Sequence, residues 1–138
     1  MKSKGIVINL TDNTEAFKAA SVEAIARALE MCGMQAENYA ALICPVDTGR
    51  LRNSLTHVVG GNRISKKYYT DKGEYGGSYS GTMGTKRDLT VYVGTNVEYA
   101  RDVELGTQRQ RAQPYLKPAF LNHISEYERI LKNELSKG

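Results

Sequence analysis

Apolar residues recur at alternating spacings of three and four through Val22, Ile25, Leu29, Cys32, Ala36, Tyr39 and Ile43. That period draws one continuous stripe along a helix ending near Cys44. Asp12, with Glu15 three residues later, has the pattern of a helix start, since an aspartate there accepts from free first-turn amides. The predicted helix is then about 29 residues, roughly 43 Å at about 1.5 Å per residue. Such a rod is long for 138 residues; its stripe is expected to lie in the chain's own core, the sharper alternative being that part of it meets a neighbouring subunit. Pro45 stops it, because proline lacks an amide proton and disfavours helical geometry in Cys44.

Other elements follow from the same reading. Residues 5–10 read as a short β-rich leader. Leu55, His57 and Val59 alternate with polar residues, as does Leu89 to Gly94, so both stretches are predicted strands. Glu98 to Leu105 makes a short helix that Gly106 ends. Phe120, Ile124, Tyr127, Leu131 and Leu135 give a C-terminal helix its apolar face, with Pro118 in its first turn. Between the two strands, residues 60–88 interleave seven glycines with Lys, Ser, Thr and four tyrosines. That length and composition predict a β-hairpin arm or a mobile binding loop. The expectation is one α+β domain over residues 1–138. A long N-terminal helix and a C-terminal helix pack on a small, mainly antiparallel sheet, with 60–88 as an extended loop or β-arm.

Composition narrows this only slightly. Hydrophobic residues make up 41% and charged residues 25%, as in soluble globular proteins. The longest uncharged apolar stretch, Asn38 to Val46, is too short to span a bilayer, and the short run Ile6–Leu10 behind Lys2 and Lys4 predicts no secretory signal. Cys32 and Cys44 lie too far apart along one helix to be bridged, so reduced core thiols are expected. The net charge of +4 is concentrated in residues 45–88, where eight basic residues face four acids. Most such clusters are simply solvated faces; the alternative is a patch that attracts DNA or an acidic protein surface.

Candidate chemistry reduces to one triplet. Asp47-Thr48-Gly49 spells the aspartic-protease sequence, whose mechanism needs two carboxylates sharing a proton. One copy could serve only in a homodimer. Here a helix stop leads into it and Arg50 follows, a guanidinium that would hold both carboxylates ionised. The better reading is a turn, with Asp47 or Thr48 bonding back to the chain and Gly49 supplying unusual dihedrals. His57, His123 and the two cysteines lack metal-ligand spacing, and no phosphate-loop or nucleophile-elbow pattern occurs. No catalytic residues, metal ligands or cofactor are expected.

Four segments in order carry a resemblance. Pro45-Val46-Asp47-Thr48-Gly49-Arg50-Leu51-Arg52-Asn53-Ser54 is similar to the P-x-D-T-G-x-L-x-x-S signature of the HK-97-type tail-component family of tailed bacteriophages. The stretch from Gly94 through Tyr99-Ala100 resembles its G-x-x-x-x-Y-A segment, Val103-Glu104-Leu105-Gly106-Thr107 its V-E-x-G-T, and Pro114 to Ala119 its P-F-L-x-P-A. The resemblance implies a non-enzymatic virion protein at the head–tail junction or proximal tail end. Such proteins assemble as rings, typically hexameric, around the DNA channel, between connector or stopper proteins and tail tube or terminator proteins. Its expected locations are the virion and, during assembly, the host cytoplasm. On that reading Pro45, Asp47, Thr48, Gly49, Glu104 and Gly106 shape structural turns. Val22, Ile25, Leu29, Tyr99 and Tyr115 are candidates for an oligomer interface. Arg50, Arg52, Lys66 and Lys67 are candidates for contact with channel DNA or an acidic partner. The alternative is a DNA-binding accessory protein using the same basic patch.

Overall fold

Ser21 starts the long helix, its Oγ accepting from the amide of Ala24 at 3.1 Å, as an N-cap serine does. Helix α1 runs Val22–Ile43 and gives way to extended backbone at Cys44, just before Pro45. The computed structural model describes residues 7–11 and 21–137; the helix-start pair Asp12 and Glu15 lies outside them. Gly49 caps a one-turn helix, α2 (Arg50–Ser54), an element absent from the sequence reading. Strands β2 (Thr56–Val59), β3 (Arg63–Tyr69) and β4 (Tyr75–Thr82) follow, then a single 3-10 turn over Lys86–Asp88 and β5 (Thr90–Gly94). Helix α3 spans Ala100–Leu105 and ends at Gly106, as predicted.

The predicted C-terminal helix is two: α4 (Leu116–Leu121) and α5 (Ile124–Ser136). The chain bends at Asn122 and His123, where the His123 ring stacks on Tyr39 of α1 with centroids 3.5 Å apart. Ile124 is consequently turned outward, while Tyr127 and Leu135 stay in the core.

Strand β1 (Val7–Thr11) and β2 both pair antiparallel with β5, giving the order β1-β5-β2. Helix α1 lies on this sheet and packs against α4 and α5, with α4 also meeting β1. Its buried stripe of Ala24, Ile25, Ala28, Leu29, Cys32, Ala36 and Ala40 meets Val91 and Val93 of β5 in one core. Each large aliphatic side chain buried there contributes roughly 1.5–3 kcal/mol. Gly33 sets the closeness of approach: a Cβ at that position would lie 2.6 Å from Val91 Cγ2 and 3.1 Å from the His57 ring. Both cysteines are buried and free. The result is the expected α+β architecture with a small antiparallel β-region.

The Gly/Tyr-rich segment does not project as an arm. β3 and β4 form a second, two-stranded antiparallel sheet with an irregularity between Tyr68 and Tyr69. Its inner face carries Tyr68 and Tyr79, both buried in the main core. Tyr79 Oη donates to the Gly94 carbonyl at 3.3 Å, and Tyr68 Oη to Asn96 Oδ1 at 2.5 Å. At its base Gly60 N donates to Thr90 O at 2.8 Å and Gly61 N to Met83 O at 2.9 Å. The hairpin is therefore laid on the body and held along its length.

Candidate functional site

The first signature segment forms a corner between α1 and β2, and the hairpin tip is fastened to it. Gly49 holds the left-handed conformation, with φ of 83°. Any Cβ there would strike the Asp71 carboxylate, so both backbone and neighbour require glycine. Thr48 Oγ1 accepts from the Arg50 amide at 3.2 Å, and Thr48 O accepts from the amide of Asp71 at 2.8 Å. Asp71, in the hairpin turn, also takes a hydrogen bond from Asn53 Nδ2 at 3.0 Å and an ion pair from Arg52. The Asn53 amide, then the Arg52 guanidinium, hold its carboxyl below the usual range. Asn53 Nδ2 further donates to Tyr69 O at 2.9 Å.

Arg50 ties the corner to the second segment. Its Nη1 and Nη2 donate to the two Glu98 oxygens at 2.8 and 3.0 Å, the fork-to-carboxylate geometry at which arginine excels. Its Nε donates to Gly76 O on β4 at 2.8 Å, and its guanidinium carbon sits 5.6 Å from the Tyr99 ring centre. One side chain thus joins α2, β4 and the turn before α3. Beneath it, buried Ser54 Oγ lies 2.6 Å from Thr95 Oγ1, which accepts from the Val97 amide at 3.0 Å.

The third and fourth segments are joined by Glu104. Its carboxylate is 5% exposed. Oε1 accepts from the amides of Tyr115 at 3.1 Å and Leu116 at 2.9 Å, and Oε2 from Lys117 at 3.2 Å. A carboxylate on the free amides of α4 satisfies donors that the helix itself cannot. Tyr115 is fully buried, its hydroxyl donating to Ala100 O at 3.2 Å. Burial drives its phenol pKa strongly upward, and that of the Cys44 thiol up to about 11.

Between the first corner and α3 lies an open groove of about 460 Å³. Pro45 to Leu51 form one wall, and Tyr99, Asp102 and Val103 with Gln110 and Gln113 form the other. Asp47 lines it, exposed and without a hydrogen bond to any described residue; the turn is made by Thr48 and Gly49. The protease triplet is thus a helix-capping corner, and the adjacent guanidinium is bound to Glu98.

The structure sorts the other predicted residues differently from the sequence. Ile25, Leu29 and Tyr115 belong to the protein's own core, leaving Val22 and Tyr99 of the proposed interface set with substantial surface. Arg50 and Arg52 are ion-paired, and Lys66 Nζ donates to Leu55 O at 2.8 Å. Among the described residues, only Lys67 of the proposed contact cations is exposed without such a bond. Sequence reasoning missed Asp71 and Asn53, although Thr70-Asp71-Lys72-Gly73 has the composition of a hairpin turn. Among the described residues no group of three or more His, Cys, Asp or Glu side chains could hold a metal ion, and no helix is long and apolar enough to cross a membrane.

No curated protein and no solved structure matches the chain closely enough to be informative. The family model for the Bacteriophage HK97-gp10 tail component matches residues 9–106, from β1 to the end of α3. The match contains the corner, the hairpin and Glu104, and it stops before Pro114–Ala119. With most of its length covered in this way, the chain belongs to the HK97-gp10-like family of bacteriophage tail components.

Proposed function

We propose that this tail component assembles as a homo-oligomeric ring, six-fold in the simplest case, at the head–tail junction or the proximal end of the tail. It would surround the DNA channel, with head-side connector or stopper proteins on one side and tail tube or terminator proteins on the other. Assembly would take place in the host cytoplasm, before the finished virion leaves. The role is structural, with no catalytic step.

One observation supports this beyond family membership. Large apolar side chains gather on the surface around the corner: Leu42 is 79% exposed and Leu105 61%, with Ile43, Val46 and Tyr99 also open. Single exposed apolar residues need no explanation, but a group flanking a groove marks an interaction surface. A neighbour seated there would bury this patch, and a closed ring presents the same patch once per subunit.

Light scattering at several concentrations tests the reading. The wild-type protein should form a multimer, or close into rings when its neighbours are added. Leu42→Asp with Val46→Asp, both at solvent-facing positions, should leave the fold intact and shift the population toward monomer. A strict monomer that also fails to complete tails would sink the proposal.

A further inference from the structure

We infer that the outer face of the β3–β4 hairpin is a docking surface for the phosphate backbone of duplex DNA. The register places Arg63 opposite Thr82, Ser65 opposite Ser80 and Lys67 opposite Ser78. All six are exposed, whereas the alternate residues turn toward the body. Arg63 and Lys67 stand four residues apart on one strand, roughly 14 Å at about 3.4 Å per residue. Beyond them Tyr69 and Tyr75 pair across the strands, ring centres 6.1 Å apart and nearly perpendicular, both exposed. No carboxylate stands in these four cross-strand pairs.

Three features favour nucleic acid over an acidic protein as the occupant. Protein–protein interfaces have an apolar core and are depleted in lysine and serine. This face has no aliphatic side chain, and its residue types are those that reach phosphate oxygens: Arg, Lys, Ser, Thr and Tyr. The small hydroxyl side chains between the cations let a polyanion lie close along the ribbon. Arg63 is pre-aimed, its Nη2 donating to Ser80 Oγ at 3.1 Å, which leaves its other donors for a ligand. Lys67 makes no hydrogen bond or ion pair among the described residues. Nothing on this face selects a sequence, so binding is to backbone charge alone. The inference does not depend on ring formation, since one subunit carries the whole face.

Fluorescence anisotropy with two labelled duplexes of unrelated sequence, titrated across a range of salt concentrations, tests it. Wild-type protein should bind both duplexes alike, with affinity falling steeply as salt rises. Arg63→Ser with Lys67→Ser should weaken binding roughly tenfold at low salt and flatten the log–log salt slope by about two per subunit. The control pair Arg129→Ser with Lys132→Ser removes the same charge from the exposed face of α5 and should change the slope little. Lys67→Glu alone, which breaks no internal bond, should also weaken binding and covers the case in which the double variant misfolds. Absence of wild-type binding at low salt overturns the inference, as does an equal loss in the α5 control. Capture of polyglutamate without capture of duplex would identify an acidic protein as the partner and overturn it equally.

Discussion

At the corner, Arg50 grips Glu98 and Arg52 grips Asp71; on the outer face of β3, Arg63 and Lys67 meet solvent. All four cations fall within one basic stretch of the chain, yet two hold the fold together and two do not. The difference lies in what the fold brings opposite them. Glu98 is 48 residues from Arg50, and only the folding of β4 and β5 beside α2 makes them neighbours. Arg63 and Lys67 face serine and threonine across the ladder, so their charge stays outward. The corner is a closed set of donors and acceptors, and the hairpin face is an open one. Substitutions at the corner should therefore register in stability, and substitutions on the hairpin face in binding.

The largest effect is expected at Gly49. Gly49→Val places a β-branched residue in left-handed backbone and drives its Cβ into Asp71. Strain and displacement together should cost about 4 kcal/mol, read as a shift in denaturant midpoint. A loss below about 1 kcal/mol would mean the corner is not closed. Glu104→Ala comes next. Removing that carboxylate strands three amides at the start of α4, at about 3 kcal/mol, while Glu104→Gln keeps an oxygen and should recover part of the loss. Equal destabilisation by the two variants would show that charge on the helix end, not hydrogen bonding, is what matters.

A smaller effect should appear with pH. His57 Nδ1 lies 2.9 Å from Glu37 Oε1 and Nε2 lies 2.7 Å from Glu30 Oε1, both on α1. The Glu37 hydrogen bond, followed by that from Glu30, raises its pKa above the ordinary 6.5 against the opposing effect of burial. Its contribution is complete below about pH 6.5 and is lost as pH climbs through the folded-state value. Wild type should therefore lose stability from slightly acid to mildly alkaline pH, and His57→Gln should flatten that profile. An unchanged profile in the variant would clear His57 of the role. The smallest effect belongs to Asp47→Asn, within about 0.5 kcal/mol because Asp47 is exposed and makes no hydrogen bond among the described residues. Neither protein should cleave peptides at acid or neutral pH; cleavage by wild type that Asp47→Asn abolishes would restore the protease reading.

Periodicity made the long helix, the two sheet strands, the helix ending at Gly106 and the antiparallel α+β plan legible from sequence. α2 escaped because Arg50–Ser54 is one turn, too short for a repeating pattern, and its geometry comes from Gly49 rather than from apolar spacing. The break between α4 and α5 escaped because Asn122 and His123 continue the helical composition; a ring stacked on Tyr39 across the core decides it. Within the site, Glu104 was marked only by the family resemblance, while Gly49 stood out as a residue suited to a turn and Gly106 as a helix stop. The partners of Arg50 and Arg52 did not, since pairing over long sequence separations is fixed by packing and not by local propensity. Tyr115, a candidate for the oligomer interface on the family reading, is closed over completely by the body of the protein.

The hairpin is anchored at both ends, and this bears on how such a chain can change length over evolutionary time. Its base runs into β2 and β5, and its tip reaches Thr48 through Asp71. Adding one residue to a strand would turn every later side chain to the opposite face, exposing Tyr68 or Tyr79. Adding two to each strand would preserve the faces but carry the tip about 7 Å past the corner, severing it from Arg52 and Asn53. Insertions are accommodated more easily in residues 83–88 or 107–113, where no ladder counts residues. A lineage that lengthens β3 and β4 must therefore either surrender the contact with Gly49 and its neighbours or rebuild that turn in the same step.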